Sequence, residues 1–188
     1  MPEGSEEGIL RGLYLYKAAD GERAHRARIL ASGSAVQAAV EAQAMLLEQH
    51  DVAAEVWSAT SYQLLRQDAL DVERWNRLHP DAEPRVSYVD EQLGGDGGPI
   101  VAVTDYMKAV PDQVGRFMKV PFIPLGTDGY GRSDTRVALR RHFEVDAGSI
   151  SVAVLDGLAQ QDRLPRHVVA AAIEHHGLDT ELVDPRYR

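Results

Sequence analysis

The fold is decided by the stretch Val120-Pro-Phe-Ile-Pro-Leu-Gly-Thr-Asp-Gly-Tyr-Gly-Arg-Ser-Asp-Thr-Arg136, which continues as Val137-Ala-Leu-Arg-Arg-His-Phe143. The apolar run at 120–125 predicts a buried β-strand. The glycines that follow permit a bent loop, because glycine tolerates positive φ and close backbone approach. Ser133 and Asp134 are expected to cap the helix that starts near Val137. A strand, a polar loop and a capped helix in this order are typical of an open α/β sheet, whose functional loops lie beyond the carboxyl ends of the strands.

Upstream of this stretch, strands and helices alternate. Four further strands are predicted over 13–16, 27–31, 54–58 and 100–103. A helix is predicted after Ser34, and its expected buried stripe is Val36, Val40, Ala44 and Leu47. Further helices are predicted over 61–78, 89–93 and 106–117, with Pro111 as a candidate break in the last. This alternation indicates a three-layer α/β/α domain with a mostly parallel sheet.

Downstream of the stretch, two more helices are predicted. Asp146 is expected to cap the first, whose apolar positions are Ile150, Ala153, Val154 and Leu158. The second should have Pro165 in its first turn and end at Gly177. The remaining residues, through Arg188, are expected to form a polar tail.

Several motifs in a fixed order carry a family resemblance. They are Glu6–Gly12, Glu73–Pro80, Thr104–Lys108, and Thr127–Asp134 followed by His142–Asp146. Together they resemble the C-terminal domain of the homodimeric pyruvate dehydrogenases, the thiamine-diphosphate-dependent components of bacterial pyruvate dehydrogenase complexes. The resemblance runs from about Pro2 to the end of the chain. Tyr130 departs from the family pattern, which has Phe there, but it keeps the aromatic ring.

The resemblance implies a transketolase C-terminal-like fold, with a five-stranded mixed sheet whose first strand is antiparallel to the other four. Residues 13–188 would form this domain. Residues 1–12 are expected to be an N-terminal segment at the edge of a longer chain, and its beginning is expected to lack structure of its own.

The resemblance also implies an activity for the full-length enzyme, which belongs to pyruvate metabolism downstream of glycolysis. That enzyme decarboxylates pyruvate on thiamine diphosphate with magnesium. It then reductively acetylates lipoyl groups of the dihydrolipoamide acetyltransferase component. The cofactor of such enzymes lies between the N-terminal and middle domains of two subunits. The present fragment alone is therefore predicted to be inactive, to pack against the remaining domains of the same chain and to extend the interface of a homodimer.

Composition excludes several classes of function. The formal net charge of −9 argues against a nucleic-acid partner, which needs clustered Lys and Arg. The chain has no cysteine, so disulfides and thiolate metal sites are excluded. No apolar run is long enough to span a bilayer, and the acidic N-terminus is unlike a signal peptide. We expect a cytoplasmic protein without a membrane partner.

Charged and aromatic residues concentrate in the loops after the fourth and fifth predicted strands. The candidate interface residues are Asp105, Tyr106, Asp128, Tyr130, Arg132, Asp134 and Arg136. One interpretation is an interface or ligand rim at the carboxyl edge of the sheet. The alternative is that these groups pair with one another and cap helices. Arg132 and Arg136 would share one carboxylate or anion if both were helical.

A second functional hypothesis is a self-contained α/β module that binds a small anion or a partner protein through the 126–136 loop. Its support is architectural. Ser32-Gly33-Ser34 before a helix is a further candidate anion site, although helix capping by a serine alone explains it and is the favoured interpretation.

No residue is assigned a catalytic, cofactor-binding or metal-binding role. Gly95-Asp96-Gly97 resembles the start of a magnesium-diphosphate motif, but the asparagine that should follow it is missing, since the only asparagine is Asn76. A flexible loop is the expected alternative there. The seven histidines show no metal-binding spacing.

Overall fold

A computed structural model describes residues 2–187 of the chain. Its strands are β1 Leu13–Lys17, β2 His25–Ala31, β3 Val52–Ala59, β4 Ile100–Val103 and β5 Phe122–Leu125. Its α-helices are α1 Glu6–Arg11, α2 Val36–His50, α3 Tyr62–Leu78, α4 Tyr88–Leu93, α5 Ala109–Gly115, α6 Arg136–His142, α7 Ala147–Gln160 and α8 Arg166–His175. Short 3-10 turns cover Gly33–Ala35 and Pro185–Tyr187.

The five strands form one mixed sheet in the order β1-β3-β2-β4-β5. β1 pairs antiparallel with β3, and the other neighbouring strands pair in parallel. Helices α2 and α7 cover one face, and α3, α4 and α5 lie over the other. The prediction of a three-layer domain with an antiparallel first strand is therefore confirmed.

Alternation along the strands divides the apolar side chains between two cores. In β2, Ile29 packs under α2 and α7, whereas Leu30 packs on the opposite face. In β4, Val101 and Ala102 divide in the same way. Because both faces are covered, β4 is apolar at every position and β2 is apolar from Ile29 to Ala31, as expected for a parallel sheet.

Arg28 is the exception among the buried residues of β2, because it carries a charge and is only 4% exposed. Its guanidinium donates hydrogen bonds to three backbone carbonyls, those of Leu93, Gly95 and Gly98. Burial lowers the pKa of Arg28, and the carboxylates of Glu55 and Asp96 partly offset that effect. Arg28 thus fixes the loop that leads into β4.

Helix α2 buries a different face from the predicted one. Val36, Val40 and Leu47 are half-buried and Ala44 is exposed. The buried residues of the helix are Ala38, Ala39, Ala42, Gln43 and Leu46. Small alanine side chains allow the helix to approach the sheet closely, and the buried amide of Gln43 donates to the carbonyls of Ala18 and Ala54.

Three other expectations about helices and strands need correction. The segment 1–12 contains helix α1, which is joined to the domain by a hydrogen bond from Thr60 Oγ1 to the carbonyl of Ile9. Helix α5 is shorter than the predicted 106–117, and Pro111 lies within its first turn, where proline is tolerated. Strand β5 is half-buried rather than buried, because it lies at the edge of the sheet.

The C-terminal helices follow the prediction closely. The Asp146 side chain accepts a hydrogen bond from the amide of Ser149 and caps α7. Pro165 precedes the first residue of α8, and Gly177 follows that helix with a φ of 59°. The tail beyond them is not uniformly exposed, since Pro185 is buried.

Candidate interface at the carboxyl edge of the sheet

The chain reverses its direction of winding between β2 and β4. The connection after β2 leads to α2 on one face, and the connection after β4 leads to α5 on the other. Ser32 and Thr104 follow these two strands, and the Ser32 hydroxyl donates to Thr104 Oγ1 at 2.7 Å. Such a switch point is the usual place for a binding crevice in an open α/β sheet.

Asp105 caps the turn that opens α2. Its carboxylate accepts a hydrogen bond from the amide of Ser34 at 3.0 Å. Gly33 has a φ of 60°, and a β-carbon there would come within 2.8 Å of the carboxylate oxygens. Neither serine provides the expected side-chain cap. The position that an anion would take at this helix start is therefore occupied by the Asp105 carboxylate.

Asp128 performs a similar task for the loop that leads into α5. Its carboxylate accepts a hydrogen bond from the amide of Lys108 at 2.8 Å. The neighbouring Thr127 donates its amide to the carbonyl of Tyr106 at 2.9 Å and its hydroxyl to the carbonyl of Asp105 at 2.5 Å. The loops after β4 and β5 are thus joined by backbone and side-chain hydrogen bonds.

Removing the Asp105 cap is expected to cost about 1 kcal/mol, as for other helix caps. The change Asp105→Ala should lower the free energy of unfolding of the chain by that amount in urea titration. Asp71→Ala is the matched control, since Asp71 is an exposed residue within α3, and its effect should stay within about 0.5 kcal/mol. Equal effects of the two changes would contradict the capping role.

The start of α6 differs from the predicted one by one or two residues. Thr135, rather than Ser133 or Asp134, caps the helix by accepting from the amide of Ala138 at 3.3 Å. Asp134 accepts from the amide of Thr135. Arg132 consequently lies in the loop and outside α6. The condition for Arg132 and Arg136 to share one anion, that both be helical, is therefore not met.

The other predicted residues of the loop face solvent. Tyr130 is 87% exposed, and Arg132 and Arg136 are also exposed. Within residues 2–187, neither of these two arginines makes an ion pair or a side-chain hydrogen bond. The three aspartates therefore act as caps and turn anchors, whereas Tyr130, Arg132 and Arg136 are available for contact.

The C-terminal tail packs against the 126–136 loop. This contact was not predicted from the sequence. Gly129 has a φ of 94°, and a β-carbon there would lie 2.6 Å from the carbonyl oxygen of Pro185. Arg186 donates to the Asp184 carboxylate and lowers the pKa of that group. The sequence signal for this contact was weak, because the tail mixes Leu182, Val183 and Pro185 with charged residues and has no clear periodicity.

A cleft of about 350 Å³ lies beside the loop. Asp105, Asp134 and Arg136 from the candidate set line it, together with Leu139 and Arg140. Two carboxylates and two guanidiniums line the cleft, so its charges balance and it has no excess positive charge to attract a small anion. The cleft gives little support to the hypothesis of an independent anion-binding module.

The Gly95–Gly97 stretch, which resembles the start of a magnesium-diphosphate motif, is not arranged as a metal site. Among residues 2–187, no three His, Asp or Glu side chains converge to hold a metal ion. In the Gly95–Gly97 stretch, Asp96 pairs with Arg163, and the Gly95 carbonyl accepts from Arg28. This stretch is a loop, as the sequence predicted, and two contacts tie it to the rest of the domain.

Comparison with known families agrees with the sheet order and the connections. A family model of the transketolase-like TK C-terminal domain matches residues 12–146, and the chain belongs to this family. Transketolase from Leishmania mexicana superposes with a TM-score of 0.57 at 20% identity, covering 85% of this chain and 20% of that one. A transketolase complex from Pichia stipitis superposes with a TM-score of 0.54 at 22% identity, over 86% and 20% of the two chains. These structures establish the fold.

Closer relatives are found among pyruvate dehydrogenase E1 components. That of Pseudomonas aeruginosa is 45% identical over 186 residues, which make up 98% of this chain and 21% of that protein. That of Escherichia coli K12 is 42% identical over 187 residues, or 99% of this chain and 21% of that protein. The chain therefore spans about a fifth of the length of these relatives. No helix in the described part of the chain has the length and apolarity needed to cross a membrane.

Proposed function

We propose that this chain is the C-terminal interface domain of a pyruvate dehydrogenase. The observation that carries the proposal is 45% identity to a pyruvate dehydrogenase E1 component over nearly the whole of this chain. The full-length enzyme would decarboxylate pyruvate on thiamine diphosphate with magnesium and acetylate lipoyl groups of the dihydrolipoamide acetyltransferase. Residues 13–188 would form the domain, with residues 1–12 leading into it.

The role proposed for this domain is structural. Its partners would be the remaining domains of the same chain and the second subunit of a homodimer, in the cytoplasm, without nucleic acid or membrane. Catalysis and binding of the acetyltransferase would require the assembled full-length enzyme.

The proposed contact surface is the 126–136 loop. Its first residues are held by the Asp128 carboxylate, which accepts from the amide of Lys108, and by Thr127, which donates to the carbonyls of Asp105 and Tyr106. Pro185 packs closely against Gly129, while Tyr130 and Arg132 extend into solvent. Tyrosine and arginine are the residue types that dominate interface energetics. A fixed backbone that presents such side chains is suited to contact with another protein surface, because little conformational entropy is lost on binding.

The isolated chain is expected to be inactive. It should not oxidise pyruvate with an artificial electron acceptor when thiamine diphosphate and magnesium are added, because residues 2–187 bring no group of His, Asp or Glu side chains together to hold the magnesium ion. The full-length enzyme, assayed in parallel, is the positive control. Measurable turnover by the isolated chain would overturn the proposed division of labour.

Truncating the contact residues is expected to weaken the full-length enzyme without unfolding this domain. Tyr130→Ala and Arg132→Ala should each raise the dissociation constant of the dimer roughly tenfold or lower activity, since truncating an interface hot spot typically costs more than 1 kcal/mol. Sedimentation at several concentrations and an activity assay provide the measurement. Arg74→Ala, at an exposed position on α3, is the control. Unchanged assembly and activity in both loop variants would count against the proposal.

A further inference from the structure

A basic segment interrupts an acidic chain immediately after Tyr130. Residues 132–142 contain four arginines and one aspartate, whereas the whole chain has a formal net charge of −9. We call this segment the basic strip, and its arginines are Arg132, Arg136, Arg140 and Arg141. Its charge is opposite to that of the protein that carries it.

Only half of the arginines in the basic strip are used inside the domain. Arg140 donates to the carbonyl of Ser34 at 2.9 Å, and Arg141 pairs with Asp146 at 2.8 Å. Arg132 and Arg136 have no such partner within residues 2–187. These two guanidiniums are therefore free to receive carboxylates from outside the domain.

Apolar groups lie beside the free guanidiniums. Helix α6 has no buried residue, and Val137 on its surface is 80% exposed. Tyr130, two residues before the basic strip, is 87% exposed. Tyrosine and arginine are enriched in protein–protein interfaces, and Val137 adds exposed apolar area on the same segment.

We propose that the basic strip docks onto a carboxylate-bearing surface of the remaining domains of the same enzyme. Arg132 and Arg136 bind the carboxylates, and Tyr130 and Val137 fill the apolar part of the contact. This inference rests on the proposed function, and it adds the chemistry of the partner. Charge complementarity selects an acidic partner, and the four-fifths of the relatives' length outside this chain supplies a protein surface to carry it. The strongly negative net charge of the chain disfavours nucleic acid as the partner.

Zero-length cross-linking tests the proposal in the full-length enzyme. The variant Arg132→Lys/Arg136→Lys keeps both charges and introduces amines that a carbodiimide joins to carboxylates in direct contact. Mass spectrometry should then find links from positions 132 and 136 to Asp or Glu residues outside this 188-residue segment, and high salt should suppress them. Arg74→Lys/Arg77→Lys, at two exposed positions on α3, is the matched control and should give no such links.

Charge reversal provides the second measurement. Arg132→Glu/Arg136→Glu should destabilise the assembled enzyme, because like charges across an interface are strongly unfavourable. It should raise the dissociation constant of the dimer more than about tenfold if the acidic surface lies on the second subunit, and lower the Tm of the full-length enzyme if it lies on the same chain. Arg74→Glu/Arg77→Glu should leave both quantities unchanged. Links confined to this segment, together with no effect of charge reversal, would overturn the acidic-partner inference. If Tyr130→Ala still weakened assembly in that case, the interface role would stand and only the partner chemistry would be wrong.

Discussion

Replacing Arg28 with methionine is expected to lower the free energy of unfolding by about 3 kcal/mol, since a buried polar group left without its partner costs about 1–3 kcal/mol. The physical reason is that three carbonyl groups, those of Leu93, Gly95 and Gly98, lose their donor. Buried acceptors without a donor are costly, and methionine offers none. Urea denaturation of the chain, followed by circular dichroism, measures the loss.

Arg26 provides the matched control for this prediction. It lies two residues earlier on the same strand, is exposed and has the same side chain. Arg26→Met should change the free energy of unfolding by less than about 0.5 kcal/mol, as is usual for surface substitutions. Similar losses for the two variants would show that Arg28 does not stabilise the loop before β4 in the way described.

Gly98→Ala is the second substitution with a large expected effect. Gly98 is buried with a φ of 78°, and an added β-carbon would collide with the carbonyl oxygen of Arg26. Left-handed backbone in an alanine and a forced shift of β2 together should cost about 3 kcal/mol. The measurement is again the free energy of unfolding in urea.

Gly95→Ala tests whether this effect is specific to position 98. Gly95 belongs to the same loop, but no heavy atom lies within 4 Å of the place where its β-carbon would be. The variant should be close to wild type, within about 0.5 kcal/mol. If Gly98→Ala changed the free energy of unfolding as little as Gly95→Ala, the loop would not approach β2 as closely as the structure indicates.

The sequence predicted the sheet and most helices because their signals are local. Short apolar runs predicted the strands at 100–103, 27–31 and 54–58. Asp146, a residue type that caps helices, predicted where α7 begins. The resemblance to a known family supplied the antiparallel first strand. These features depend on neighbouring residues or on a whole-chain pattern, both of which can be seen without coordinates.

The features that escaped prediction depend on residues far apart in sequence. Asp105 caps a turn 71 residues earlier, and Arg28 holds carbonyls 65 to 70 residues later. The buried face of α2 is made mainly of alanine, which gives weak hydrophobic contrast. The prediction therefore chose the larger Val36 and Val40, which pack at the margin of this core and are only half-buried. In each case the partner that decides the role of the residue is brought near only by the fold.

The candidate site was predicted in part for the same reason. The sequence located the two loops, because both follow apolar strands. It left open whether the charged residues of these loops bond within the domain or contact another surface. In the structure, Asp105, Asp128 and Asp134 accept hydrogen bonds from backbone amides. Tyr130 and Arg132 remain for the proposed contact with the rest of the enzyme.

The central claim is that the exposed 126–136 loop becomes buried in the full-length enzyme. Hydroxyl-radical footprinting of Tyr130 tests it most directly, with rates normalised to a free tyrosine peptide in the same sample. Tyr130, 87% exposed in this domain, should be oxidised severalfold more slowly in the full-length enzyme than in the 188-residue chain. Equal oxidation rates in the two proteins would contradict the account.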